Sequence, residues 1–284
     1  MGWPVCNHWA MSSPLSSDDT HDAFGPIDGG TYVLVDGHPI WHFVDGDGAP
    51  VVLLHGAFAG ASSWGAQIPA LLAAGWQVYA PERRGHGHSP DTSAPFSYSE
   101  MADETVGYLE ATFGSRVRLV GWSDGAVVAL LVAQRRPDLV ERMVLLGQYY
   151  NSSGRVAGPD TIVNSFVDGD SSEAIAFLRA EYDSVSPDGP EHFAEIYRKT
   201  VAMIAAEPEI DLATLTGIDV PTLVVQGDRD EVTVEHSIAV VAALPNARLA
   251  VLPGTHILPL ESPDVFNPLL LSFLAGDAPA QWDL

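Results

Sequence analysis

Val117-Arg118-Leu119-Val120 runs directly into Gly121-Trp122-Ser123-Asp124-Gly125, and Ala126-Val127-Val128-Ala129-Leu130-Leu131-Val132-Ala133-Gln134 follows without a break. Residues 117–120 are a short β-prone run, and 125–134 form an almost wholly apolar helix stopped ahead of Pro137. Between them lies Gly-x-Ser-x-Gly in the strand–turn–helix context of a nucleophile elbow. Such a turn strains the serine backbone and presents its hydroxyl at the C-terminal edge of a sheet. Gly121 and Gly125 let neighbouring backbones approach where a side chain would collide. The helix N-terminus behind Ser123 also favours negative charge developing on a substrate oxygen. The five-residue string is weak on its own; its context carries the reading.

Working outward, two β-rich runs at 31–35 and 40–44 are joined through Asp36-Gly37, a hairpin signal. Residues 51–54 are a continuous apolar run of the kind buried parallel strands show. Helix-like and strand-like segments then alternate: 62–74, 77–80, 98–113, the elbow, and 143–146. The alternation resumes at 222–225, 234–244 and 247–252, with a last helix after Ser262-Pro263, an N-cap and a first-turn proline. This order predicts an α/β fold with a doubly wound, mostly parallel sheet and an antiparallel start. Between 151 and 217 only helical patterns occur, such as Ile175, Leu178 and Tyr182, then Phe193, Ile196, Tyr197, Val201 and Ile204. The expected division is a mobile N-terminal tail at 1–25, core at 26–150 and 218–276, an inserted helical lid at 151–217, and a C-terminal tail at 277–284.

Composition narrows the function. The 284 residues carry 37 acidic side chains against 13 basic ones, a net charge of -24, with Lys199 the only lysine. That balance argues against nucleic acid, whose phosphates call for clustered Lys and Arg. At 46% hydrophobic and 18% charged residues there is material for a large core. Cys6 is the lone cysteine, so neither an intrachain disulfide nor a cysteine-based zinc site is expected. No signal-peptide pattern is present, and Gly2 lacks the Ser or Thr that myristoylation wants where Cys6 stands. No apolar run reaches the roughly 18 residues of a membrane span. The chain is expected to be cytoplasmic, without a membrane partner.

A serine nucleophile needs a base, and the base an orienting carboxylate, in the chain order Ser, acid, His and each on a loop after a strand. The strand at 222–225 ends in Gln226-Gly227-Asp228-Arg229-Asp230, and 247–252 ends in Pro253-Gly254-Thr255-His256. His256 is the base; Asp230 is the preferred acid, with Asp228 the alternative. One oxyanion donor is the backbone N–H of Asp124, and the other comes from the loop His55-Gly56-Ala57-Phe58-Ala59-Gly60.

Over roughly residues 30–275 the chain resembles the α/β-hydrolase superfamily. His55-Gly56, Arg84-Gly85-His86-Gly87-His88-Ser89, the elbow, Gly227-x-x-Asp230 and Gly254-x-His256 carry the likeness. The resemblance implies Ala57 as the second oxyanion donor. Glu82 departs from it, since many members place Asp there. Ser123 sets the chain apart from the haloalkane dehalogenases and epoxide hydrolases, which use Asp as nucleophile. Hydroxynitrile lyases of this fold use a lysine, for which Lys199 is the one candidate. The elbow looks like that of valacyclovir-hydrolase-like members, whose corresponding aspartate holds a substrate ammonium group.

These residues point to a serine hydrolase of carboxylic esters, lactones or amides, acting on small molecules without cofactor or metal. A slow-turnover ligand receptor and a carbon–carbon bond hydrolase are the alternatives. His86 and His88 lack a third and fourth ligand, so a structural loop is the expectation rather than a metal site. His55 is expected to brace the oxyanion loop, and Trp122 to fill core. Phe58 and Tyr149 are candidate substrate contacts, as is the side chain of Asp124; Tyr150 joins Tyr149 at the lid entrance. With His256 as base, kcat/KM should rise through a pKa of about 6–7. A carboxylate at Asp124 opposes an oxyanion by about 1 kcal/mol in water and on the order of 4 at an effective dielectric of 20. Three arrangements relieve this: turning to solvent, pairing with Arg83 or Arg84, or a cationic substrate.

Overall fold

A computed structural model describes residues 27, 29–156 and 173–276, with no account of the side chains of 173–178. The expected tails at 1–25 and 277–284, with Gly2 and Cys6, lie outside the described residues, as do 157–172 of the expected lid. The sheet has eight strands: β1 (Thr31–Val35), β2 (His38–Asp45), β3 (Pro50–Leu54), β4 (Gln77–Pro81), β5 (Val117–Trp122), β6 (Val140–Leu146), β7 (Thr222–Gly227) and β8 (Ala247–Leu252). Their spatial order is β1-β2-β4-β3-β5-β6-β7-β8. β2 is antiparallel to β1 and β4, and every pairing from β4 to β8 is parallel. Asp36 and Gly37 both have positive φ, 49° and 83°, as a two-residue turn with the twist of a hairpin requires.

Helices cover both faces. They are α1 (Gln67–Ala73), α2 (Tyr98–Thr112), α3 (Asp124–Arg135), α4 (Glu173–Val185), α5 (Phe193–Ala206), α6 (Val234–Ala243), α7 (Leu258–Glu261) and α8 (Pro263–Ala275). Successive side chains of a strand point to opposite faces, and the core divides accordingly. Val52, Leu54 and Leu119 pack with α2 and α3. Val51, Leu53 and Val120 pack with α1 and α8. The sheet centre is apolar because it is covered twice, so β3 reads as a continuous hydrophobic run from Val51 to Leu54, while β5 is interrupted only by Arg118, which bonds Glu141 and the Leu274 carbonyl.

Two local expectations are corrected. The segment 62–74 is not one helix but a 3₁₀ turn, Ala61–Trp64, followed by α1. The break follows Trp64, which is fully buried, and precedes a new start at Gln67. Ser262 does stand at the N-cap of α8, but its side chain makes no capping bond; Pro263 alone marks the start. Between β6 and β7 the described residues form α4, α5 and three 3₁₀ turns, with no strand beyond an isolated bridge from Arg155 to Val232. Among the described residues no helix is long and apolar enough to cross a membrane.

Candidate active site

Ser123 sits between β5 and α3 with φ 55° and ψ -118°, a conformation costing a non-glycine residue about 1–3 kcal/mol. Neighbours hold it there. Its N–H donates to the Leu146 carbonyl at 2.8 Å, and its carbonyl accepts from the N–H groups of Ala126 and Val127 at 2.9 and 3.1 Å. A Cβ on Gly121 would lie 2.2 Å from the Gly125 carbonyl oxygen, and one on Gly125 would lie 2.0 Å from that of Leu54. Both elbow glycines are therefore obligatory for packing α3 against β3 and β5.

The loops after β7 and β8 converge on this turn. His256 Nε2 lies 2.9 Å from Ser123 Oγ. Its Nδ1–H donates to Asp230 Oδ1 at 2.7 Å, which also accepts the Val232 N–H at 3.1 Å. Asp228 does not face His256; it accepts the Gly254 N–H at 2.9 Å and so ties the two loops together. Burial alone would lower the pKa of His256, but the negative charges of Asp230, Glu231 and Asp124 outweigh it and push the imidazole up to about 9. The sequence expectation of about 6–7 took no account of the Asp230 contact reinforced through space by the charges of Glu231 and Asp124.

Sequence reasoning missed Gly147. It follows β6 with φ 59°, and a Cβ there would lie 2.8 Å from His256 Cε1. The available signal was a glycine immediately after a buried strand, which marks a close approach without naming the neighbour.

The turn after β3 reaches the nucleophile from the other side, where a Cβ on Gly56 would lie 3.4 Å from Ser123 Cβ. Arg83 braces this turn, donating from its guanidinium to the carbonyls of His55 at 2.7 Å and Gly56 at 3.1 Å. His55 is fully buried and accepts the Arg83 N–H on Nε2 at 3.1 Å. Burial first, then the charges of Arg83 and His86, hold its pKa well below the usual value, so the ring stays neutral. Asp124 opens α3, where the helix provides no acceptor for its N–H. Among the described residues no group of three or more His, Cys, Asp or Glu could hold a metal ion. His86 stacks on Phe96, and His88 stacks on Trp41 and binds Glu82.

Asp124 is buried, 1% exposed. Tyr98 donates to its Oδ1 at 2.6 Å and Tyr149 at 3.2 Å, and the two hydroxyl oxygens are 2.5 Å apart. Its Oδ2 is buried and has no hydrogen-bond partner among the described residues. Burial raises its pKa, against the lowering effects of Tyr98, Arg83, Tyr149 and His256. Turning to solvent is therefore not its arrangement. No arginine is in direct ion-pair contact with it, since Arg83 is bound to the β3 turn and Arg84 meets Glu100 and Glu104, but the buried Arg83 guanidinium still compensates its charge through space. Tyr98 was not anticipated, since nothing local to a helix start signals a partner 26 residues ahead.

Phe58, at φ 58°, stacks on Tyr197 of α5 with centroids 5.8 Å apart and leans on Phe193 at 6.1 Å. Tyr150 turns away, its ring 3.7 Å from that of His236. Lys199 is buried on Asp91 Oδ2 at 2.7 Å, a carboxylate it shares with His192.

The mostly parallel sheet, the strained serine after its fifth strand and the histidine after its last define the class. The profile of the alpha/beta hydrolase family matches residues 51–269, and the chain belongs to that family. Among individual relatives, it is 29% identical over 250 residues to pyrrolizixenacetamide deacetylase of Xenorhabdus hominickii, covering 82% of this chain and 94% of that protein. It is 28% identical over 264 residues to the human serine hydrolase BPHL, covering 89% and 88%. Among solved structures, a meta-cleavage product hydrolase from Pseudomonas fluorescens superposes with a TM-score of 0.68 at 24% identity, covering 87% of this chain and 97% of that one, a likeness of fold.

Proposed function

We propose that the protein is a serine hydrolase of small carboxylic esters or lactones. The single observation that carries this reading is the continuous hydrogen-bond chain from Asp230 through His256 to Ser123, at 2.7 and 2.9 Å. Ser123 Oγ attacks the carbonyl carbon as its proton passes to His256 Nε2. The N–H groups of Ala57 and Asp124 receive the oxyanion, and Asp230 stabilises the imidazolium. His256 then gives the proton to the leaving alkoxide, and water repeats the sequence on the acyl-enzyme. The helices of 151–217 serve as a lid over the core at 26–150 and 218–276, with Phe58 and the Lys199–Asp91 pair among the contacts between them. The deacetylase relative favours a second substrate arm, the acetamide bond, which the same steps cleave. Initial rates on p-nitrophenyl esters of graded acyl length, beside an N-acetyl amide series, test the reading; absence of turnover on both classes overturns it.

Asp124 refines the substrate. A buried carboxylate oxygen left without a donor costs energy that a substrate ammonium would recover. Esters with an ammonium group near the carbonyl are therefore the preferred substrates, with Tyr149 holding Asp124 from the lid side. A charge-assisted hydrogen bond of about 1.5–3 kcal/mol corresponds to roughly 10–150-fold in kcat/KM. An α-amino ester should exceed its des-amino analogue by that factor, and Asp124→Asn, which keeps the backbone N–H, should erase the difference. A preference that survives the substitution removes Asp124 as the ammonium site.

The acid limb of the pH profile follows from His256. Only the neutral imidazole accepts the serine proton, so kcat/KM falls tenfold per unit below the His256 pKa and levels off above it. With the ring pushed up to about 9, the midpoint lies on the alkaline side of the ordinary 6.5. The measurement needs a neutral ester, because an α-amino substrate titrates in the same range, at about 8. A midpoint below 6.5 would contradict the electrostatics of the three carboxylates.

A further inference from the structure

Trp122 stands immediately before the nucleophile, and packing was its expected role. It is buried and meets Trp64 edge to face at 6.1 Å, but its polar atom is also engaged. The indole Nε1–H donates to the main-chain carbonyl of His256 at 2.8 Å, with the two ring centroids 6.4 Å apart. The other ties of the histidine loop fall on its neighbours. The Gly254 N–H is held by Asp228, the Gly254 carbonyl by the Arg229 N–H, and both the N–H and hydroxyl of Thr255 by Glu261.

We propose that Trp122 is a positioning residue which, through its indole N–H, holds the His256 main chain so that the imidazole stays between Asp230 and Ser123. The inference rests on the reading of Ser123 as nucleophile and His256 as base. It links the two ends of the proton-transfer pair through a rigid element: one end of β5 presents the hydroxyl, and the preceding side chain fixes the base that must face it. Proton transfer needs reacting heavy atoms within about 2.6–3.2 Å, so a loop released by an ångström loses contact. The groups that set the His256 charge are Asp230 and Glu231 after β7 and Asp124 on α3. None of them is altered by a change at Trp122.

Trp122→Phe keeps an aromatic ring in the site and removes the donor together with the pyrrole half of the indole, so the melting temperature is measured beside the rates. Its test is the pH dependence of inactivation by paraoxon, with release of p-nitrophenolate and the mass of the Ser123 peptide as readouts. kcat on a p-nitrophenyl ester is measured alongside. Expected are an inactivation rate and kcat roughly tenfold lower, KM within twofold, and a midpoint displaced to lower pH because His256 spends less time on Asp230. Loss of fold stability alone would move the melting temperature without moving that midpoint. A folded variant with unchanged rate and midpoint overturns the proposal. A measurement on the unaltered protein stands beside it: the ¹⁵N-labelled Trp122 indole resonance should exchange slowly and shift as His256 titrates. An indole proton exchanging as fast as those of exposed tryptophans overturns it equally. Failure of paraoxon to label Ser123 would defeat the nucleophile assignment itself and this inference with it; labelling with an unmoved profile would defeat this inference alone.

Discussion

Ser123→Ala leaves a folded protein whose kcat on an ester is lower by roughly 10⁵–10⁶-fold. The loss is not total, because in the proposed mechanism the backbone donors of Ala57 and Asp124 would still stabilise an oxyanion made by water, leaving roughly 10³–10⁴ over the uncatalysed rate. The fold should tolerate the change, since Ser123 is fixed through main-chain bonds to Leu146, Ala126 and Val127 that alanine retains. The melting temperature and kcat, measured on one preparation, separate the two effects. Undiminished turnover in the folded variant would remove Ser123 from the mechanism.

Asp230→Asn is expected to lower kcat by roughly 10⁴-fold while changing KM little. The amide lacks the negative charge that stabilises the imidazolium, and wherever its N–H rather than its oxygen faces His256 Nδ1 the imidazole moves its proton to Nε2. The nitrogen 2.9 Å from Ser123 Oγ then has no lone pair to receive the hydroxyl proton. Asp228→Asn is the matched comparison. Asparagine keeps the oxygen that accepts the Gly254 N–H, so its kcat should stay within a few-fold of the original. Should the two variants exchange behaviour, the acid is Asp228 and the Asp230 contact is structural.

What was legible in the sequence was whatever depends on local period and punctuation. The Asp36-Gly37 turn, the apolar run of β3 and the Gly-x-Ser-x-Gly bend declare themselves within a few residues. The order of Ser123, Asp230 and His256 was legible too, because each follows a strand and parallel strands bring such loops to one edge. Contacts between distant segments were not. Tyr98 reaching Asp124, Arg83 bracing the β3 turn, and Gly147 clearing room for the imidazole all depend on strand order, which no local pattern encodes. Trp122 was read as apolar filler because burial accounts for its ring, and nothing in sequence accounts for where an indole N–H points. The 3₁₀ break near Trp64 escaped for the same reason: tertiary packing overrode a continuous helical pattern.

On the proposed reading, Asp124 would combine two tasks in one residue that act through different atoms. Its main chain, fixed by the start of α3, would serve the reaction, while its side chain, held by Tyr98 and Tyr149, would choose the substrate. A peptide N–H survives any substitution but proline, so this position can change its preference for charge without rebuilding the catalytic apparatus. Descendants of such a site can thus move from cationic to neutral substrates in one step, each intermediate still an active enzyme.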